Sequence, residues 1–316
     1  MLHALYGVHF VTGMDSRSDE RYGVSKVRIL ISILMIAALA TNGGATALTG
    51  DAPSKKDDQK FINKAKKLYY YENDRKSRYL NYYHSHPDYA VSKVVWHVDA
   101  DLDKAFYDNP VAAEKADSAT VLVNKQHKLS EDFEPEKLTL VDKSRMAPDA
   151  AKAFISMKDA AKKEGVYIYG KSNAYRSYAT QKRLNGNTGT KQRPPDASRA
   201  RAGFSEHQTG LAIDVSNNAG SFQAVTYKSK IGKWLRENSW KYGFIIRYTP
   251  GNKPITGYIS EPWHARYIGE DHSKKMHEKK YKSFEEYWVK YIAHEAPKEE
   301  LADETKPEPD PDANPS

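Results

Sequence analysis

The sequence predicts an α+β fold, a mainly antiparallel sheet packed with helices. Three observations carry that expectation. Apolar residues recur at i, i+3, i+4 spacing in some segments and alternate or run continuously in others. The two kinds of segment mix without the regular β-α-β alternation of a parallel sheet. The composition, 39% hydrophobic and 28% charged over 316 residues, is neither that of a disordered chain nor that of a multi-span membrane protein.

Lys26 and Arg28 precede an apolar run, Ile29 to Ala40, and small residues follow through Ala45-Thr46-Ala47. Positive flank, short apolar stretch and small residues are the three parts of a secretory signal. If uncleaved, Ile29 to Leu48 would serve as a single anchor, although the strongly apolar part falls short of the roughly 20 residues of a full span. Residues 1–50 are therefore expected to be a signal peptide or N-terminal membrane anchor, with Met14 one candidate for the true start. Asp51 to Asp58 is a polar linker. Phe61 to Tyr83 has helical spacing (Phe61, Ala65, Leu68, then Tyr79, Tyr82, Tyr83), Val94 to Val98 is strand-like, and Leu102 to Ala116 is a loop with Asn109-Pro110 as its turn signal. Residues 51–119 thus form a linker and helical extension.

A denser domain, 120–292, follows. Val121 to Val123 is apolar and β-rich. Asp149 to Glu164 is a helix with Pro148 before it and Gly165 closing it. Val166 to Lys171 is a strand, Tyr178 to Leu184 a short helix, and Asn185 to Ala202 a long surface loop. Leu211 to Val215 alternates, with Leu211, Ile213 and Val215 on one face and Ala212 and Asp214 on the other. Lys230 to Tyr242 is a helix; Phe244 to Tyr248 and Trp263 to Ile268 are strands. Ser283-Phe284-Glu285-Glu286 is a capping box that opens a last helix through Ile292. Residues 293–316, rich in proline and acid, are disordered by composition.

There are no cysteines, which excludes disulfides, iron–sulfur clusters, thiol nucleophiles and thiolate-bound zinc. Any metal site must use His, Asp and Glu. The net charge of +8 includes a strongly acidic tail, so the body is more basic still. Such a body suits an anionic partner: nucleic acid, a membrane surface or a wall polymer. A solvated basic surface explains it equally well. The 22 tyrosines suit either a binding groove or ordinary amphipathic packing.

Two segments carry chemistry: Gly203-Phe204-Ser205-Glu206-His207-Gln208-Thr209-Gly210-Leu211-Ala212-Ile213-Asp214 and Glu261-Pro262-Trp263-His264-Ala265-Arg266-Tyr267. A catalytic zinc takes three protein ligands and keeps one open position. His207, Asp214 and His264 would supply two imidazoles and one carboxylate. Glu261 stands three residues before His264, and Pro262 biases it to an extended conformation, from which it could serve as general base toward water and general acid toward a leaving amine. Spacing alone leaves a surface His–Asp pair and a core Trp–His pair as alternatives.

Together these motifs resemble the VanY-type D-alanyl-D-alanine carboxypeptidases, zinc peptidases grouped with D-Ala-D-Ala dipeptidases and L,D-carboxypeptidases. Leu122-Val123-Asn124-Lys125 with Leu129 and Asp132-Phe133-x-Pro135 resembles the family's opening segment, and Tyr175-Arg176-Ser177-Tyr178-x-x-Gln181 its substrate-binding segment. Ala174 and Ala202 depart from the family's usual glycine and proline. The resemblance implies a Hedgehog/D-Ala-D-Ala carboxypeptidase-like zinc peptidase fold. It implies one Zn2+ per chain on His207, Asp214 and His264, with Glu261 as catalytic base. It places Arg176, Gln181 and Ser205 at the C-terminal carboxylate of the substrate, although Arg176 could instead serve the oxyanion. The expected substrate is the peptidoglycan stem peptide, cleaved at its terminal D-alanine. An L,D-carboxypeptidase acting on tetrapeptide stems, or a wall-binding module without activity, remain as alternatives. Anionic wall polymers are further candidate partners. No nucleic-acid-binding signature is present, and a membrane would be met only through an uncleaved N-terminal segment.

The export signal generates a first expectation. Fractionation of producing cells should recover the chain outside the cytoplasmic membrane, cleaved near Ala47 or anchored. A cytoplasmic pool of full-length chain as the main species would refute it.

Overall fold

The structure, a computed structural model, describes residues 54–170, 174–186 and 197–294. The expected signal or anchor, the acidic tail beyond His294 and the centre of the 185–202 loop lie outside the described residues. None of the described helices is long and apolar enough to cross a membrane.

Three helices come first: α1 (Lys55–Ala65), α2 (Lys76–Ser85) and α3 (Val91–Asp99). Helix α1 begins inside the stretch expected as linker, because Ser54 and Asp57 close a capping box. The strand-like run at Val94 to Val98 is helical instead. Val91, Val94, Val95 and Val98 fall at the i, i+3, i+4, i+7 spacing of a helix, with Ser92, Lys93, His97 and Asp99 among them; the run of β-branched valines points to a strand only when 94–98 is read apart from its neighbours. Two small pairings follow, parallel β1 (Val111–Ala112) with β2 (His127–Lys128) and antiparallel β3 (Thr139–Val141) with β4 (Ser144–Met146). Val121 to Val123 joins no sheet; the side chain of Arg266 takes the carbonyls of Ala119 and Val121 at 2.9 and 2.8 Å, in place of a strand partner.

Helix α4 (Pro148–Lys163) and helix α5 (Tyr178–Gly186) lie where expected. Of the strand expected at Val166 to Lys171, the described residues 166–170 show one bridge, Tyr169 with Ser216, and Lys171 lies outside them. Strand β5 (Ala212–Asp214), helix α6 (Lys230–Asn238), strand β6 (Phe244–Tyr248), the short α7 (Lys253–Thr256) and strand β7 (Glu261–Tyr267) then build the central sheet, and α8 (Glu270–Glu278) and α9 (Phe284–Trp288), continued by a π-helical turn over Val289–Ala293, close the described residues. The sheet is antiparallel throughout, in the order β5-β7-β6.

Its two faces differ in kind. Ile213 and Val215, Phe244 and Ile246, Trp263, Ala265 and Tyr267 join one apolar cluster with Phe154 and Met157 of α4. The opposite face carries Asp214, Arg247, His264 and Arg266, beside a smaller cluster of Ile245, Met276, Phe284 and Tyr287. Period-two alternation thus puts the larger apolar cluster on the α4 side and the charged residues together on the other. The N-terminal helices form a third cluster, tyrosine-rich, that includes Val289, with Trp288 and Ile255 packed against it.

Gly232 offers a test of this packing. Replacing a helical glycine with alanine usually stabilises by roughly 1 kcal/mol. Here a Cβ would sit 1.9 Å from the main-chain oxygen of Thr226. Gly232→Ala is therefore expected to destabilise the fold, by the roughly 1–3 kcal/mol typical of overpacking, read as a lower urea midpoint.

Candidate active site

His207 is placed by a tight turn. Glu206 to Thr209 forms one 3-10 turn, closed by Gly210 at φ +70°, where an added Cβ would meet the Ala147 amide nitrogen at 3.0 Å. The Gln208 side chain ties this turn to the carbonyls of Ser130 and Phe133. His207 Nδ1 lies 2.7 Å from the carbonyl oxygen of Ala174. A carbonyl only accepts, so Nδ1 carries the proton and Nε2 is the free base, 3.4 Å from Asp214 Oδ2. The family departure at Ala174 leaves this contact intact, because the main chain makes it.

Asp214 and His264 are direct register partners across β5 and β7, which puts both side chains on the polar face of the sheet. His264 Nδ1 lies 3.2 Å from Asp214 Oδ1, and its Nε2 lies 3.0 Å from Glu206 Oε2. His207, Asp214 and His264 are all buried, and their ligand atoms lie within 4.8 Å of one another. Burial and the Arg176 charge push His207 down to about 4, so it is neutral at pH 7. Burial opposes a charge on His264, but its hydrogen bonds to Asp214 and Glu206 outweigh that and hold it up at about 9. Two imidazoles and one carboxylate converging from a buried pocket suit a zinc ion with a coordination position to spare. A metal ligand must be deprotonated, so metal binding at His264 releases a proton.

Glu261 reaches the same point through an irregularity. In a regular strand, residues three apart face opposite ways. Between the pairs Ile246–Ala265 and Tyr248–Glu261 the register shifts, with extra residues on β7. Such bulges re-aim side chains, and here Glu261 Oε2 comes within 3.9 Å of His264 Nδ1. Burial pushes the Glu261 carboxyl up to about 7. Tyr248, the register partner of Glu261, packs its ring 4.8 Å from that of His264.

Arg176 donates to Asp214 Oδ2 at 3.3 Å and to Gln181 Oε1 at 3.2 Å. Gln181 is buried, and its amide nitrogen donates to the Ala200 carbonyl at 2.7 Å. Both ends of Gln181 are thus engaged in holding Arg176 against the 199–200 segment, an arrangement that suits positioning Arg176 better than gripping a ligand. Ser205 is buried at the start of the 206–209 turn and makes no side-chain cap hydrogen bond there. The structure therefore gathers His207, Asp214, His264, Glu261 and Arg176 at one place, with Gln181 behind Arg176. Trp263 and Tyr267 pack on the α4 side of the sheet.

A profile of the VanY family, described as D-alanyl-D-alanine carboxypeptidase, matches residues 143–270. The bifunctional D-Ala-D-Ala dipeptidase and D-Ala-D-Ala carboxypeptidase VanXYC of Enterococcus gallinarum is 33% identical over 183 residues, which cover 52% of this chain and 91% of that protein. The chain belongs to the VanY family. A D-alanyl-D-alanine carboxypeptidase of Enterococcus faecium is 39% identical over 142 residues, 45% of this chain and 43% of that protein. Among solved structures, the LdcB LD-carboxypeptidase, whose structure is described as revealing the molecular basis of peptidoglycan recognition, is 35% identical. It superposes with a TM-score of 0.50 and covers 57% of this chain and 90% of that one. This VanY-family chain spans less than two thirds of some curated relatives, 43% of the Enterococcus faecium protein and 66% of one from Bacillus subtilis (strain 168).

The sequence motifs include Glu206 and Arg266, and the capping box includes Glu285, but gave them no role at the site, and Arg247 stands outside them; all four lie buried around His264 and behind it. One signal was available: Arg247 interrupts an otherwise apolar strand. For the ligand set, elemental analysis of the purified chain is expected to give near-stoichiometric zinc. His264→Ala should lose it; unchanged metal content would sink the assignment.

Proposed function

We propose that this chain is a zinc-dependent carboxypeptidase that removes the C-terminal D-alanine from peptidoglycan stem peptides. The observation that carries the reading is the convergence of Glu261 and Arg176 on the buried His207–Asp214–His264 cluster. Family membership supports the reaction class, and the D-Ala-D-Ala relatives support the bond.

His207 Nε2, His264 Nδ1 and an Asp214 oxygen would hold the metal. Bound zinc supplies Lewis-acid polarisation of the scissile carbonyl and lowers the pKa of water. Glu261 takes the proton from the attacking water and returns it to the leaving amine nitrogen. A carboxyl poised near 7 suits both directions of that transfer. Arg176 supplies the fixed cation. With Gln181 holding its far side, the guanidinium is preorganised for a negative oxygen of the substrate, either the terminal carboxylate or the developing oxyanion. Cleavage of the L,D bond in tetrapeptide stems is the second reading, favoured by the likeness to the LdcB LD-carboxypeptidase. Export and contact with anionic wall polymers fit the same assignment, through the Lys26 to Ala47 signal and the basic body of the chain.

Two variants separate the roles. Glu261→Gln keeps the side-chain size and removes the proton acceptor. Zinc content should stay, and turnover of purified muropeptides, followed by mass spectrometry, should fall by roughly 10²–10⁴-fold. In Arg176→Ala, a strong rise in KM marks a carboxylate grip and a fall in kcat marks the oxyanion. Near-wild-type turnover in Glu261→Gln would overturn the base assignment. The released amino acid and the length of the remaining stem decide between the D,D and L,D bonds.

A further inference from the structure

The chemistry above uses Glu261, Arg176 and three metal ligands. It leaves four neighbouring charges without a role. Glu206, Arg247, Arg266 and Glu285 have no side-chain exposure at all.

Their bonds are divided in a specific way. Glu206 Oε1 accepts from Arg247 Nε and from Arg266 Nη1, both at 2.9 Å. That leaves Oε2 for His264 Nε2, at 3.0 Å. Arg247 turns its other two nitrogens onto Glu285, at 3.0 and 2.6 Å. Asn124 donates to the same carboxylate at 3.2 Å. The remaining donors of Arg266 go to the carbonyls of Tyr267, Ala119 and Val121. Two carboxylates meet two guanidiniums, so the cluster is balanced in charge. Glu206 can therefore act on His264 through direction more than through net field.

We propose that Glu206 is a positioning residue for the metal site: it keeps the imidazole proton of His264 on Nε2 and so commits Nδ1 to the metal. Arg247, Arg266 and Glu285 hold the Glu206 carboxylate in the orientation that does this. The proposal rests on the zinc reading above and adds to it the residue that selects the ligating nitrogen. Hydrogen-bonding partners of this kind fix ring orientation and tautomer, and losing one typically weakens metal binding by about 10–100-fold.

Glu206→Gln tests it sharply. A glutamine has one acceptor oxygen where glutamate has two. The two guanidiniums claim that oxygen, and the amide NH2 turns toward His264. An NH2 group only donates, so Nε2 must accept and the ring proton moves to Nδ1, the nitrogen the metal needs. Glu285→Gln is the matched control, because it also removes one buried negative charge from the cluster but does not touch His264.

Zinc affinity of the full chain, measured by competition with a chromophoric chelator, is the readout. Wild type should bind tightly, Glu206→Gln should bind about 10–100-fold more weakly, and Glu285→Gln should stay close to wild type. Wild-type affinity in Glu206→Gln overturns the proposal, as does an equal loss in both variants, which would mean that the cluster acts only through stability. Nitrogen-15 NMR of the zinc-loaded wild-type chain gives an arm that needs no variant to fold. The proton of His264 should reside on Nε2 and that of His207 on Nδ1; a His264 proton on Nδ1 overturns the proposal. A wild-type chain that takes up no zinc overturns the metal reading itself and the proposal with it, an outcome distinct from wild-type affinity in Glu206→Gln.

Discussion

The buried pairing of Glu206 and Glu285 with Arg247 and Arg266 is the constraint around which the other elements are arranged. Taking an ion out of water costs several kcal/mol even after relaxation. Only complete pairing offsets it, and here the guanidinium nitrogens find carboxylates and carbonyls at hydrogen-bonding distance. Burial alone would push the Glu206 carboxyl up; the two arginines instead hold it well below the usual range. The partners come from distant parts of the chain: the 206–209 turn, β6, β7, the 119–124 segment and α9. Apolar contacts are non-directional and would allow these parts to slide. A fork-and-carboxylate lattice does not. It sets the turn that carries His207 against the strand that carries His264, which is what a metal site needs.

The placement of the three candidate ligands was partly legible in the sequence, while their reading as a metal set came from the family resemblance. His207, Asp214 and His264 sit in short motifs whose turn and strand character can be read locally. Gly210 closes the turn, the alternation from Leu211 to Val215 places Asp214 on the polar face, and cross-strand register does the rest. Glu261 was legible only as a member of a motif. The feature that brings it to His264, the register shift opposite Ile246 and Tyr248, has no local signature, and regular alternation points it the wrong way. The charge lattice was illegible because its members are spread through the chain. Glu285 lies between Phe284 and Glu286 in a capping sequence and passes for a first-turn helix acid. Arg266 is one more position in the His264 motif.

The fold class and the order of the central elements were also readable: α4, β6 and α6 stand close to where periodicity puts them. Errors gathered where composition masks the period or where a side chain replaces a backbone partner. Helix α3 carries its period in Val91, Val94, Val95 and Val98, and its β-branched composition masks it when 94–98 is read as a short window. Val121 to Val123 is apolar like a strand, but the Val121 carbonyl is taken by an arginine. Helix α8 passed unnoticed because its sequence is almost wholly polar, with Ser273 and Met276 its buried residues. For the 121–123 segment the missing information lay in its neighbours.

The tyrosine-rich cluster of the first three helices has an architectural consequence. It does not close on itself. It takes in Val289, packs Trp288 and Ile255 at its edge, and Tyr69 bonds the main-chain oxygen of Lys290. Trp288 also packs against the cluster that contains Phe284 and Tyr287, one turn from Glu285. The first helices of the described chain thus brace its last, and composition alone would place a modular border between them where the packing has none. Deleting residues 55–100 to obtain a minimal catalytic fragment would strip an apolar flank from the helix that anchors the arginines. For anyone trimming, fusing or grafting this protein, the natural unit runs from α1 through the turn that follows α9.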